Sequence, residues 1–243
     1  MGYHVVIPID SASNLEGVVM CYPKAPKAPK ARQSPTPRKT SSVPANWPTD
    51  IQYIDTPRYA LNFPKEISNM LRGSSAGRPY NSTAMSVPEL GLRPARTTIC
   101  RVENPNHPAL GQRGLFAAKT IPSHTFIIQY VGELHIDERP TSDYDLSLIR
   151  FPTSSSLCNG QSGGNDLIEG SFISVGIDAA KIGNEARFVN DYRGTGEERP
   201  NAFFKDVRGE DGTLHITIWT GAKPIAKGKE ILVSYGKGWW AAR

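Results

Sequence analysis

From Arg96 onward the chain is cut into short runs rich in β-branched and aromatic residues, each closed by glycine or proline: "TTICRV", "GLFAAKTI", "TFIIQYVGEL", "LHITIWTGAKPI" and "KEILVSYG". Such runs at short spacing read as strands of small sheets. A parallel βαβ architecture would need helical segments between successive strands, and this part of the chain offers one helical candidate, Ala179–Phe188. The expected fold class is therefore β-rich, mostly β with few short helices. Upstream, Pro64–Arg72 predicts a further short helix that Gly73 stops.

The strand-rich part does not account for the whole chain. Apolar residues make up 38% of the 243, too few for a chain packed throughout, and the polar excess gathers near the start. Residues 22–40, "YPKAPKAPKARQSPTPRKT", hold six basic residues, five prolines and no acidic residue. That composition buries too little apolar surface to offset its ordering entropy. The expected organisation is a disordered basic and Pro-rich tail over 1–48, a partly ordered flank over 49–95 that docks through Tyr53, Tyr59 and Phe63, and a main domain over 96–240. The basic run reads equally as a solvated linker or as a nuclear-import or nucleic-acid patch.

Cys21, Cys100 and Cys158 are odd in number and widely spaced, which argues against a disulfide framework or paired zinc-binding motifs. No apolar run approaches a membrane span, and the first residues lack a secretory pattern. The expectation is an intracellular protein with no metal and no membrane partner.

Four stretches stand in a fixed order: "GQRGLFAAKTI" with "QYVGE", then "SDYDLSL", then "VGIDAAKIGNEARFVND" with "RPNAFF", and last "GKEILVSYG". Together they resemble the SET domain, the protein-lysine N-methyltransferase module, in its form without a cysteine-rich zinc segment after the last motif. The resemblance covers roughly 96–240. It implies a SET-type β-clip of several small sheets, a C-terminal segment threaded pseudoknot-like under the "ARFVND" loop, and S-adenosyl-L-methionine as cofactor. It also implies a lysine-bearing protein substrate, with a histone tail the default by analogy, and a nuclear location at chromatin. No direct nucleic-acid recognition is expected beyond the basic tail.

Residue by residue, the resemblance implies catalytic roles for Tyr235 and Tyr144. Cofactor contacts are implied for Arg113, Gly114, Tyr144, Arg187, Phe188, Asn190, the backbone of Asp191, Tyr235 and Trp239, and a substrate channel walled by Phe204, Val233 and Trp240. In the family the amide at position 190 is buried and bonds the methionyl end of the cofactor. Burying an amide costs a few kcal/mol unless it is paired, so a ligand is one answer to its presence there. The pattern departs from the family at three points: Gln112 stands where the first Gly of Gly-x-Gly is usual, Asp191 follows Asn190, and five extra residues separate Asn190 from Pro200.

The chemistry needs such walls. A lysine ammonium has no lone pair, and with an ordinary pKa near 10.4 only about one in 2,500 is neutral at pH 7. An aromatic channel desolvates the amine, lowers its pKa and aligns it for in-line displacement. Val233 stands where the family often carries a bulky aromatic, so transfer of more than one methyl is expected to be sterically possible. The segment between Asp137 and Ser171 includes "FPTSSSLCNGQSGGNDLIEGS", which predicts no groove from which a substrate could be read. The alternatives left open are a catalytically inactive SET module that binds chromatin or protein, and a methyltransferase of non-histone proteins.

Overall fold

The computed structural model describes residues 43–72, 96–152, 172–209 and 212–236, all within one unit, Thr40–Arg243. The basic run 22–40, most of the segment between Asp137 and Ser171, Trp239 and Trp240 lie outside the described residues.

The strands follow the β-rich runs. In chain order they are β1 (Gln52–Tyr53), β2 (Arg58–Tyr59), β3 (Thr97–Arg101), β4 (Arg113–Ala117), β5 (Phe126–Gln129), β6 (Glu133–His135), β7 (Asp145–Pro152), β8 (Phe172–Asp178), β9 (Ile182–Gly183), β10 (Asn190–Asp191), β11 (Ala202–Arg208), β12 (Leu214–Thr220) and β13 (Leu232–Val233). The predicted upstream helix is α1 (Lys65–Leu71), which buries Ile67 and Leu71 at helical spacing.

These strands form five small sheets: β2-β6-β8-β7, β11-β12-β5, and the pairs β3-β4, β1-β9 and β10-β13. The family-like β-clip arrangement is what results. The core between the sheets is aliphatic, with Ile99, Leu115, Ile121, Ile127, Ile218 and Ile231 all essentially inaccessible to solvent. β3 and β4 pair in register from Thr97 opposite Ala117 to Arg101 opposite Arg113. Gly111 closes their connection with φ +81°, a left-handed conformation that a side chain would strain, and its N–H donates to Val102 O.

Two sequence expectations need correction. Ala179–Phe188 forms no α-helix; only Glu185–Phe188 winds, as a single 3-10 turn. The reason is tertiary: β9 is recruited into a parallel pair with β1, so Lys181 O and Gly183 O accept from Gln52 and Ile54 N–H instead of serving a helix. The tail boundary at 48 also falls too late. Residues 43–48 dock on the sheets, with Pro44 and Pro48 buried, Asn46 Nδ2 donating to Ile99 O at 2.8 Å, and the Trp47 indole edge-on to Tyr53 and Phe188.

The flank does more than dock. β1 makes a two-stranded sheet with β9, β2 adds a parallel edge to β6, and the Tyr53 hydroxyl reaches Glu185 Oε2 at 3.3 Å. Among the described residues no helix is long and apolar enough to cross a membrane.

Candidate active site

The stretch "GNEARFVNDYRGTGEERPNAFF" makes one loop that grips the C-terminal strand. β10 runs parallel to β13, pairing Asn190 with Leu232 and Asp191 with Val233, and Tyr192 N–H donates to Val233 O. At the far end of the loop, Asn201 holds the same segment through three bonds: its side chain donates to Glu230 O at 2.8 Å and accepts from Leu232 N–H at 2.9 Å, and its N–H donates to Leu232 O. Residues 230–235 are thereby bonded to both ends of the 190–201 loop. That is the threaded arrangement the family resemblance implied.

Beside this clasp lies a cavity of about 650 Å3, within the usual range for small-molecule sites. Gln112 and Arg113 border it from the turn before β4 and from β4, Tyr144 from the turn just before β7, Arg187 and Phe188 from the 3-10 turn, Asn190 and Asp191 from β10, and Tyr235 from beyond β13. Seven residues assigned by resemblance, from four separate stretches of the sequence, thus share one cavity: Arg113, Tyr144, Arg187, Phe188, Asn190, Asp191 and Tyr235.

Asn190 is half-buried, and its Nδ2 donates to Glu230 Oε1 at 2.8 Å and to Arg113 O at 3.4 Å. Both donor hydrogens are so engaged, which leaves Oδ1 as the acceptor. The fully buried amide of the stretch is Asn184, whose Nδ2 donates to Gln129 O and whose Oδ1 accepts from Val131 and Ala186 N–H. Burial of an amide is satisfied there by backbone alone.

Asp191 is buried with its carboxylate turned to protein: Oδ2 accepts from Tyr235 N–H at 2.6 Å and Oδ1 from Arg193 N–H at 2.8 Å, while Arg193 Nη1 pairs with Oδ2 at 3.0 Å. The Tyr235 hydroxyl donates to Val189 O at 2.7 Å. Burial pushes the Tyr235 phenol above its ordinary value, and the charge of Asp191 adds to the shift. A phenol so raised stays protonated at neutral pH.

Arg187 stacks its guanidinium 4.0 Å over the Tyr144 ring and 4.9 Å from that of Phe188, within cation–π range. Nε donates to Ala179 O at 2.8 Å. Burial pulls this guanidinium below its ordinary value, opposed by Tyr144 and Tyr130. The loop that carries Tyr144 is fixed by Arg139, which pairs with Glu133, Asp137 and Asp178 at 2.7, 3.2 and 3.1 Å.

Some assigned residues sit elsewhere. Val233 is wholly buried in the core and Phe204 packs against the core with its ring edge-on to Tyr130, so neither borders the cavity. Gly114 lies behind the lining for a different reason from close ligand approach: a Cβ there would stand 2.5 Å from Glu230 Oε1. Three residues were not singled out from the sequence. Tyr130 is buried and donates its hydroxyl to Tyr144 O at 2.7 Å, and the His107 imidazole and the Glu230 carboxylate meet 3.3 Å apart beside Asn190. The "QYVGE" and "GKEIL" motifs contain two of them, but nothing in a local run marks a side chain that acts across the fold.

The SET domain family model matches residues 112–236, just over half of the chain. A comparison with curated proteins gives no match. Among solved structures, ATXR5 in complex with mono-methylated histone H3.1 superposes with a TM-score of 0.53 at 16% identity, covering 77% of this chain and 82% of that one. The Chaetomium thermophilum Polycomb Repressive Complex 2 bound to GSK126 matches at 22% identity and a TM-score of 0.41, over 60% of this chain and 16% of that one. KRYPTONITE, solved with DNA, a histone H3 peptide and SAH, matches at 19% identity and a TM-score of 0.37, over 58% of this chain and 23% of that one. The chain thus spans under a quarter of the length of these last two, and the identities carry likeness of fold alone. With its motifs in family order, its last strand clasped by the 190–201 loop and its family model matched over that whole region, the chain belongs to the SET-domain family.

Proposed function

We propose that the protein is an S-adenosyl-L-methionine-dependent protein-lysine N-methyltransferase whose cofactor is held in the cavity beside Asn190 and Tyr235. The observation that carries this reading is the meeting of Asn190, Arg187, Tyr144 and Tyr235 on one cavity of about 650 Å3. Its donor set suits the amino-acid end of such a cofactor. Asn190 Oδ1 offers an acceptor to an ammonium, and the Arg187 guanidinium offers a cation to a carboxylate.

The cofactor, when bound, supplies an electrophilic sulfonium methyl. The chain's own residues prepare the other reactant. Tyr144 and Tyr235 wall the cavity with aromatic faces, which desolvate a lysine ammonium and lower its pKa. The Tyr235 hydroxyl, its hydrogen given to Val189 O, keeps oxygen lone pairs that can accept from a substrate N–H and aim the amine. With its phenol raised above the ordinary value, Tyr235 orients and does not act as a base at neutral pH.

A histone tail is the first substrate to test, since ATXR5 of similar fold is solved with histone H3.1, and a nuclear, chromatin-associated role follows from that choice. Isothermal titration with S-adenosyl-L-methionine, followed by transfer of tritiated methyl to histones and other basic proteins, is the test. Saturable binding and transfer that the Tyr235→Phe variant abolishes are expected. A protein that takes up no cofactor at millimolar concentration would overturn the reading, and one that binds it without turnover would be a binding module.

A further inference from the structure

The β3–β4 connection carries a side chain that the catalytic reading leaves unused. His107 is buried, its side chain only 3% exposed, yet it borders the cavity. Its Nδ1 accepts from Ala109 N–H at 2.9 Å, so the neutral ring carries its proton on Nε2. That Nε2 makes no hydrogen bond in this structure and stands 3.3 Å from Glu230 Oε2. An imidazole donor buried in this way is costly unless something takes its proton. The other oxygen of Glu230 already accepts from Asn190 Nδ2 at 2.8 Å.

The connection is not a passive turn. Asn104 Nδ2 donates to Thr195 O at 3.3 Å, and Pro108 fills the space beside Gly194, where a Cβ would lie 2.7 Å from its ring. The turn 104–109 is thereby braced against the excursion that follows Asp191, the same stretch that is longer than the family pattern. His107 reaches Glu230 from this braced turn, and Glu230 reaches Asn190 from the segment leading into β13.

We infer that His107 is a positioning residue for cofactor binding: through Glu230 it fixes the Asn190 amide with its nitrogen turned to protein and its oxygen left for the ligand. The inference rests on the cofactor reading of the cavity. Without the imidazole edge 3.3 Å from Oε2, Glu230 is held by Asn190 alone, and the amide can turn its nitrogen toward the ligand's ammonium, where like meets like. Burial pushes the Glu230 carboxyl above its ordinary value, and the Asn190 hydrogen bond opposes that shift.

Two replacements separate the halves of the ring. His107→Asn keeps an acceptor near Nδ1 for the Ala109 N–H, as an Asx turn, and removes the donor toward Glu230. His107→Gln keeps an N–H that can reach Glu230. Isothermal titration with S-adenosyl-L-methionine should show affinity about tenfold weaker in His107→Asn and within about threefold of wild type in His107→Gln, that is, differences of about 1.4 and under 0.7 kcal/mol. Combining His107→Asn with Asn190→Ala should cost nothing beyond Asn190→Ala alone. Glu230→Gln, which leaves the turn untouched, is the second variant and should weaken binding by a similar tenfold. Thermal unfolding of the cofactor-free proteins reports any loosening of the turn itself. Wild-type affinity in His107→Asn, additive losses in the double variant, or equal losses in His107→Asn and His107→Gln would each overturn the inference while leaving the cofactor reading intact. A wild type that binds no cofactor removes both.

Discussion

The carboxylate of Asp191 accepts the backbone N–H of Tyr235 at 2.6 Å across 44 residues of sequence. The residue that departs from the family pattern beside Asn190 is thus what anchors the main chain of the proposed catalytic tyrosine. Asp191→Asn offers one carbonyl oxygen where two acceptors serve Tyr235, Arg193 N–H and the Arg193 guanidinium. Leaving a buried donor unserved costs about 1–3 kcal/mol, and urea unfolding of Asp191→Asn should show a loss in that range. An unchanged midpoint would mean the carboxylate is dispensable.

Asn201 is expected to matter as much for stability as for chemistry. Asn201→Ala removes the two side-chain bonds to Glu230 O and Leu232 N–H, and a loss of about 2 kcal/mol should appear on denaturant titration. Cofactor affinity should fall with it, because the same segment sets Glu230 and Tyr235.

Tyr235→Phe separates orientation from binding. It deletes the hydroxyl that donates to Val189 O while keeping the aromatic wall. Methyl transfer should fall by about 10²-fold or more, the cost of losing one preorganised polar contact at a reacting centre. Cofactor affinity measured by calorimetry should stay close to wild type.

Glu230 gives the protein a pH signature. Burial raises its carboxyl, so the folded chain keeps that proton to higher pH than the unfolded chain, whose glutamate titrates near about 4.3. The folded state then binds more protons in the window above that value, and this group makes stability fall as pH rises through it. Glu230→Gln should flatten that stretch of the stability–pH curve, as followed by urea midpoints at a series of pH values.

Gly114→Ala should fail on space. The added Cβ would meet Glu230 Oε1 at 2.5 Å and the Phe116 ring at 2.9 Å, so the Glu230 carboxylate that Asn190 bonds would have to shift. A loss of about 1–3 kcal/mol on urea unfolding is expected for overpacking of this kind.

What could be read from the chain and what could not divide along one line. The strands around Leu115, Ile127 and Ile218 were legible because alternating β-branched runs between Gly and Pro are a local signal. That Asn190 and Tyr235 border one cavity was foreseeable because their neighbours spell family motifs. β1 and β2 were not, since two-residue strands carry no periodicity and exist only because β9 and β6 lie beside them. The choice between Asn184 and Asn190 as the buried amide was equally hidden: both sit in one stretch, and what differs is that Gln129 O and Val131 N–H face the first. His107 and Glu230 lie 123 positions apart, and only the fold makes them neighbours.

The clasp has a consequence for synthesis. During translation every lining residue of the cavity but Tyr235 is made before Glu230 emerges, yet the loop from Asn190 to Asn201 has nothing to close on until Leu232 and Val233 arrive. A nascent or prematurely terminated chain therefore carries the pocket's components in an unassembled state. Under the proposed function, methyl-donor uptake should begin abruptly with completion of this late strand, and no lysine would be modified before the fold is sealed.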